Sequence, residues 1–217
     1  MTRTPHILLT GFDPFGGETV NPSWEAVRAL HGCRLGGHRV VALQLPTEFT
    51  ASLKALRRAL RELRPAIVLG VGQAGGRSRL SLERVAINVN DARIPDNAGA
   101  QPVDEPVVAG GPAAYFSTLP IKAMLAALRE EGLPAEISNT AGTYVCNHIA
   151  YAMAHYTARQ RGVRTGFVHI PFLPDQAVSH THAPSMSLED VCRGLRIALR
   201  TAARVQADAR LPAGAIS

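Results

Sequence analysis

Short apolar runs that alternate with longer stretches of helical period constrain this chain more than any other feature. Runs that read as strands fall at His6–Gly11, Arg39–Leu45, Ala66–Val71, Leu80–Asn90, Ala135–Ser138 and Gly166–Ile170. Between them the periodicity predicts helices at Ser23–Leu30, Ala51–Arg64, Pro120–Glu131, Tyr144–Arg161 and Ser187–Asp208. Pro120 suits a first helical turn, and Ser187-Leu188-Glu189-Asp190 resembles a capping box. Strands separated by helices join in parallel through crossovers, which leave a helical layer on each face of the sheet. The expected fold is therefore α/β, a three-layer α/β/α sandwich with a mixed, largely parallel central sheet.

A chain of 217 residues, 46% of them hydrophobic, can bury a full core, and residues 1–217 are expected to form one domain. Only the stretch Asp91–Thr118 breaks the texture. It is rich in Gly, Pro, Asn and Asp, and so long a loop is expected to be functional or to cover an interface. The tail from Leu211 onward is expected to fray.

Composition excludes several function classes. No apolar run approaches a membrane span, and Met1 to His6 leads straight into the first expected strand, so no signal peptide is expected. Cys33, Cys146 and Cys192 are too few and too scattered for a disulfide framework or a zinc site. A cytoplasmic location is expected. The net charge of +6 invites a nucleic-acid reading, but Arg57, Arg58, Arg61 and Arg64 recur beside Glu62 as on a solvated helix face. No nucleic-acid-binding signature accompanies them, so no such partner is expected.

Five features carry chemistry. Cys146 follows the Gly- and Thr-marked turn Asn139–Thr143 at the start of an expected helix. Free N–H groups and the positive end of the helix dipole there stabilise an anion, so this thiol is expected to ionise more readily than a free one. On position alone Cys146 is either a nucleophile or a small buried hydrophobe. Gly70-Val71-Gly72-Gln73-Ala74-Gly75 matches a dinucleotide fingerprint, yet Leu80–Val89 beyond it has a period near two where a helix is required. On such a strand Glu83 shares a face with Val85, Ile87 and Val89. A carboxylate there either sits at an edge in solvent or holds an imidazole for proton transfer. Of eight histidines, His148 is turned away from Cys146 on a helix, and His180 and His182 read as loop residues. His169, near the carboxyl end of a short strand closed by Pro171, is the best placed. Finally, Phe12 and Phe15 sit on a glycine-rich turn that lacks the Lys-Ser/Thr of a phosphate loop. One of them could cap the core, or both could line a pocket for a small flat group.

Together these segments resemble the pyroglutamyl peptidase type I, or pyrrolidone-carboxylate peptidase, family of cysteine peptidases. The resemblance runs from Leu8 to about Leu199 through Thr10–Gly17, Asn21-Pro22-Ser23, Gly72–Gly76, Glu83–Gly99, Asp104-Glu105-Pro106, Gly110–Tyr115, Asn139–His148, His169-Ile170-Pro171 and Ala183-Pro184-Ser185. It implies a catalytic triad of Glu83, Cys146 and His169. It also implies that Phe12 and Phe15 sandwich a pyrrolidone ring, with Thr47, Gln73, Tyr144 and Val145 nearby and Arg93 close to the site. The implied substrates are peptides with an N-terminal pyroglutamate, cleaved without metal or cofactor by an α/β/α homotetramer. Tyr144 stands where the resemblance leads one to expect Phe. A nucleoside phosphorylase or hydrolase of similar layering, and a binding module that keeps the ring pocket without turnover, are the rival readings.

Overall fold

The structure, a computed structural model, describes residues 4–214. The first half of the chain supplies β1 (His6–Phe12), α1 (Pro22–Ala29), β2 (Arg34–Leu35), β3 (His38–Leu45), α2 (Phe49–Leu63), β4 (Ile67–Gln73), β5 (Leu80–Glu83) and β6 (Val85–Ile87). The second supplies β7 (Ala114–Phe116), α3 (Ile121–Glu130), β8 (Ala135–Ser138), α4 (Val145–Thr157), β9 (Arg164–Ile170), α5 (Pro174–Ala177) and α6 (Leu188–Arg204). The main sheet has the order β2-β3-β1-β4-β9-β5-β8. Strands β3, β1, β4 and β9 run parallel; β5 joins β9 antiparallel and β8 pairs parallel with β5. The sheet is thus mixed and mostly parallel, as the alternation predicts.

Side-chain alternation divides β1 between two cores. Ile7 and Leu9 pack with Val27, Leu125 and Leu195 under α1, α3 and α6. Leu8 and Phe12 pack with Leu56, Ile149, Met153 and Phe167 under α2 and α4. The helix caps follow local chemistry. Asn21 accepts from Ser23 N–H (3.0 Å) with Pro22 as first residue of α1, and Ser187 Oγ accepts from Asp190 N–H (3.0 Å) at α6. Helix α2 has no cap of its own, and the Asp96 carboxylate, arriving from the long loop, accepts from Phe49 N–H at 2.8 Å.

Several expected boundaries shift. Leu80–Asn90 is not one strand. Ser138 is the last residue of β8, and once Arg84 N–H has bonded its carbonyl (2.9 Å) the chain leaves the main sheet. It continues as β6, paired antiparallel with β7. Strand β7 lies inside the stretch expected to be loop. Helix α4 stops at Thr157, whose hydroxyl bonds back to Met153 O (2.7 Å) before the turn at Gly162, where φ is +81°. Helix α6 ends at Arg204 because Val205 is extended. The short β2 and α5 carry too little periodicity to read from sequence. The expected fraying also begins too early: Ala213 packs on the core and its carbonyl accepts from Arg84 Nη2. Residues 215–217 and Met1–Arg3 lie outside the described residues.

Candidate functional site

Parallel strands β1, β4 and β9 end together, and their carboxyl ends form the edge where ligands gather in α/β sheets. Phe12, Gln73 and His169 occupy those ends, and α4 starts beside them with Cys146 as its second residue. Between them opens a cavity of about 130 Å³. Phe12, Phe15, Thr47, Gln73, Tyr144, Val145, Cys146 and His169 line it, joined by Asn21 and Ala141. Its volume is far below the roughly 300–1,000 Å³ of sites for drug-sized ligands, and so fits one small ring. A larger cavity of about 710 Å³ opens over α2 between Lys54, Arg57, Arg61, Glu105 and His148. No cysteine lines it.

Glu83 reaches the site from behind. Its side chain shares a sheet face with His169 through the antiparallel register Ser81↔His169 and Glu83↔Phe167. His169 Nδ1 lies 2.7 Å from Glu83 Oε1, both residues being 3% exposed. The carboxylate therefore fixes the imidazole through Nδ1 and leaves Nε2 for chemistry. The period of two predicts Glu83 on one strand with Val85, Ile87 and Val89; the strand instead breaks after it. Glu83 is buried because β5 is an interior strand, flanked by β9 and β8.

The glycines of Gly70-Val71-Gly72 have a physical reason distinct from nucleotide binding. Gly72 pairs with His169, and a Cβ on it would stand 2.7 Å from Cys146 Sγ and 3.0 Å from the Phe167 ring. A Cβ on Gly70 would meet the same ring at 2.4 Å, and one on Gly75 would meet Phe172 at 2.5 Å. The pattern makes room for side chains arriving from above, a thiol among them. It does not cradle a pyrophosphate.

Burial overrides the helix start at Cys146. Burial above all, then the charge of Glu83, pushes the thiol up to about 12, with Arg77 acting the other way. The expectation of easy ionisation is corrected accordingly: the resting thiol is protonated. No side chain caps α4, so its first N–H groups remain available beside the thiol. His148 is turned away, as helix geometry requires. Its Nδ1 lies 3.1 Å from Asn90 Oδ1, its ring stands edge-on to Phe49, and burial pushes it down to about 4, with the Phe49 backbone opposing.

The pocket walls are held by polar ties. Asp13 Oδ1 accepts from Thr47 N–H at 2.6 Å, Asp13 O accepts from Asn21 Nδ2 at 2.9 Å, and Phe12 N–H donates to Ser23 Oγ at 2.9 Å. Phe15 packs on Tyr144, whose hydroxyl donates to Pro95 O at 3.1 Å. Arg93 is exposed and does not line the cavity. Asn21 and Ala141 line the cavity without being singled out by the sequence, although Asn21-Pro22-Ser23 is one of the resembling segments. Its capping chemistry was the available signal. Among the described residues, no three or more His, Cys, Asp or Glu side chains cluster as metal ligands.

A thiol at a helix start, an imidazole on a strand end and a buried carboxylate behind it can do the chemistry of a cysteine hydrolase. The comparisons with known proteins narrow that class. The pyroglutamyl peptidase family model matches residues 5–205. A pyrrolidone-carboxylate peptidase of Erwinia tasmaniensis is 56% identical over 209 residues, covering 96% of this chain and 98% of that protein. The crystal structure of pyroglutamyl peptidase I from Bacillus amyloliquefaciens superposes with a TM-score of 0.93 at 50% identity, covering 97% of this chain and all of that one. A mutant pyrrolidone carboxyl peptidase from Pyrococcus furiosus gives 0.87 at 42% identity, covering 91% and 97%. The chain belongs to the pyroglutamyl peptidase family.

Proposed function

We propose that Cys146, His169 and Glu83 carry out the reaction of this cysteine peptidase, the hydrolytic removal of an N-terminal pyroglutamyl residue from peptides. The 2.7 Å bond between His169 Nδ1 and Glu83, behind a cavity that Cys146 lines, is the observation that supports it. The pyroglutamyl ring lies between Phe12 and Phe15, with Thr47, Gln73, Tyr144 and Val145 around its polar edge. It is a neutral lactam with no free amine, so the pocket needs no carboxylate anchor.

His169 Nε2 takes the thiol proton as the sulfur attacks the pyroglutamyl carbonyl. A protonated resting thiol suits this order, since base and nucleophile then act together. N–H groups at the start of α4 hold the oxyanion. The imidazolium, stabilised by Glu83, gives its proton to the leaving amine, and water then cleaves the thioester. Arg93 takes no part in ring binding in this account.

We assign the whole chain to one catalytic unit that works as a homotetramer in the cytoplasm. Three free cysteines suit a reducing compartment, and the exposed Val103 and Phe116 offer apolar surface for a partner copy. Light scattering after gel filtration checks the assembly. The decisive assay is a fluorogenic pyroglutamyl amide offered to wild type, Cys146→Ala and iodoacetamide-treated protein. Activity is expected in the first alone; activity surviving both treatments would sink the triad.

A further inference from the structure

The triad reading leaves one question of physical chemistry open. Glu83 is 3% exposed, and a carboxylate so placed takes up a proton unless a cation compensates for lost hydration. Its Oε2 is buried with no hydrogen-bond partner, so Oε1 alone carries the interactions. Two donors converge there: His169 Nδ1 at 2.7 Å and Arg77 Nη1, also at 2.7 Å. Arg77 comes from the glycine turn between β4 and β5, and its side chain is 25% exposed. Its other arm, Nη2, donates at 3.1 Å to the carbonyl of Thr140. Thr140 belongs to the loop between β8 and α4, the loop that delivers Cys146. One guanidinium thus spans the carboxylate end of the triad and the approach to its nucleophile.

We propose that Arg77 is a positioning residue for the reaction, keeping the buried Glu83 carboxylate ionised and tying it to the loop that carries Cys146. The inference rests on the triad reading. An ionised Glu83 can only accept, so His169 must keep its proton on Nδ1 and present a bare Nε2 to the thiol. A protonated Glu83 could donate to Nδ1 instead, which would place the imidazole proton on Nε2 and block the base. The charged and titratable groups facing Glu83 are Arg77, His169 and Cys146. Glu136 of β8 stands two residue pairs away, where it accepts from Ser81 Oγ at 2.7 Å. Arg84, the next residue, is engaged elsewhere and donates to Ala213 O. Arg77 is therefore the one permanent cation in contact with the carboxylate among the described residues.

The test uses the full chain and the same fluorogenic pyroglutamyl amide, reading kcat/KM against pH for wild type, Arg77→Met, Arg77→Gln and Arg77→Lys. Loss of the cation that faces the Glu83–His169 pair should move the acid limb of the profile up by about one unit or more in Arg77→Met. The rate at neutral pH should fall about a hundredfold, as misplacement of reacting groups by about 1 Å commonly costs. Arg77→Lys keeps the charge and should return the acid limb to its wild-type position. Arg77→Gln retains a donor for Thr140 without the charge and should share the shifted limb; it decides the matter if the Met variant does not fold. An acid limb left in place in the uncharged variants overturns the proposal, however far the rate falls. Cys146→Ala and His169→Ala, assayed alongside, report on the triad separately: activity in either fails that reading, whatever Arg77 does.

Discussion

Replacing Gly72 by Ala tests the site at its floor. Gly72 is fully surrounded, in β4 between β1 and β9, and its backbone needs no unusual conformation. The cost is therefore one of space alone. The new methyl would begin 2.7 Å from Cys146 Sγ and 3.0 Å from the Phe167 ring, against 3.4 Å for the near edge of ordinary contact. The thiol must move by about 0.7 Å, or β4 must yield against its neighbours. Overpacking of this kind costs about 1–3 kcal/mol, which in a chain of this size lowers Tm by roughly 2–12 °C. The catalytic penalty is larger, because a displacement approaching 1 Å at a reacting atom costs up to about a hundredfold. Gly70→Ala is the control: its methyl meets Phe167 at 2.4 Å and Met153 Cε at 3.2 Å but not the thiol. Urea unfolding and kcat/KM on the pyroglutamyl amide should separate the two. Both variants lose stability, while Gly72→Ala loses about ten- to a hundredfold more activity than Gly70→Ala. Equal activity in the pair would refute the claim that the thiol rests on Gly72.

Three further outcomes follow from individual contacts. His148 is held down at about 4 in the folded chain against an ordinary 6.5, so protonation favours unfolding. Its contribution, roughly 2–4 kcal/mol, is complete above about pH 6.5 and is lost as pH falls toward 4. His148→Gln should flatten that stretch of a urea-stability profile, and an unchanged slope would clear the imidazole of responsibility. Tyr144→Phe removes the bond to Pro95 O, at a cost of about 1 kcal/mol or less, and should leave kcat/KM within about threefold. A tenfold loss would mean that the hydroxyl serves the ring pocket. Asn21→Ala removes both the α1 cap and the tie to Asp13 O, costing about 1–2 kcal/mol. Because that tie steadies the turn bearing Phe15, KM should rise more than kcat falls; Michaelis kinetics with an unmoved KM would count against it.

The layered fold, and Cys146 and His169 as candidate site residues, were legible because each left a local trace. Strand and helix periods are written into neighbouring residues, a cysteine before a helical run is visible, and His169 announces a strand end through Pro171. What failed to show depends on partners distant in sequence. Glu83 is buried by β8 and β9, and nothing between Leu80 and Asn90 reveals that Ser138 ends the pairing and sends the chain into a second sheet. The thiol's reluctance to ionise reflects burial and Glu83, sixty-three residues back, so a rule about helix starts could not anticipate it. Arg77 leaves no local trace in the sequence. Its importance comes from a turn that sets its two arms against Glu83 and Thr140 at once.

The antiparallel entry of β5 divides labour in a way that bears on redesign. The pair Glu83–His169, proposed to handle the proton, comes from β5 and β9, whereas much of the proposed ring-binding wall comes from the turn after β1 and the segment before α2. In the proposed mechanism selectivity and chemistry thus come from different stretches of chain, joined at the start of α4, where Tyr144, Val145 and Cys146 line the cavity together. Libraries confined to residues 13–20 and 46–48 could explore other acyl groups while the hydrolytic apparatus stays intact. Changes at residues 144–146 would alter both at once, so new specificities are most accessible on the side of the pocket away from α4.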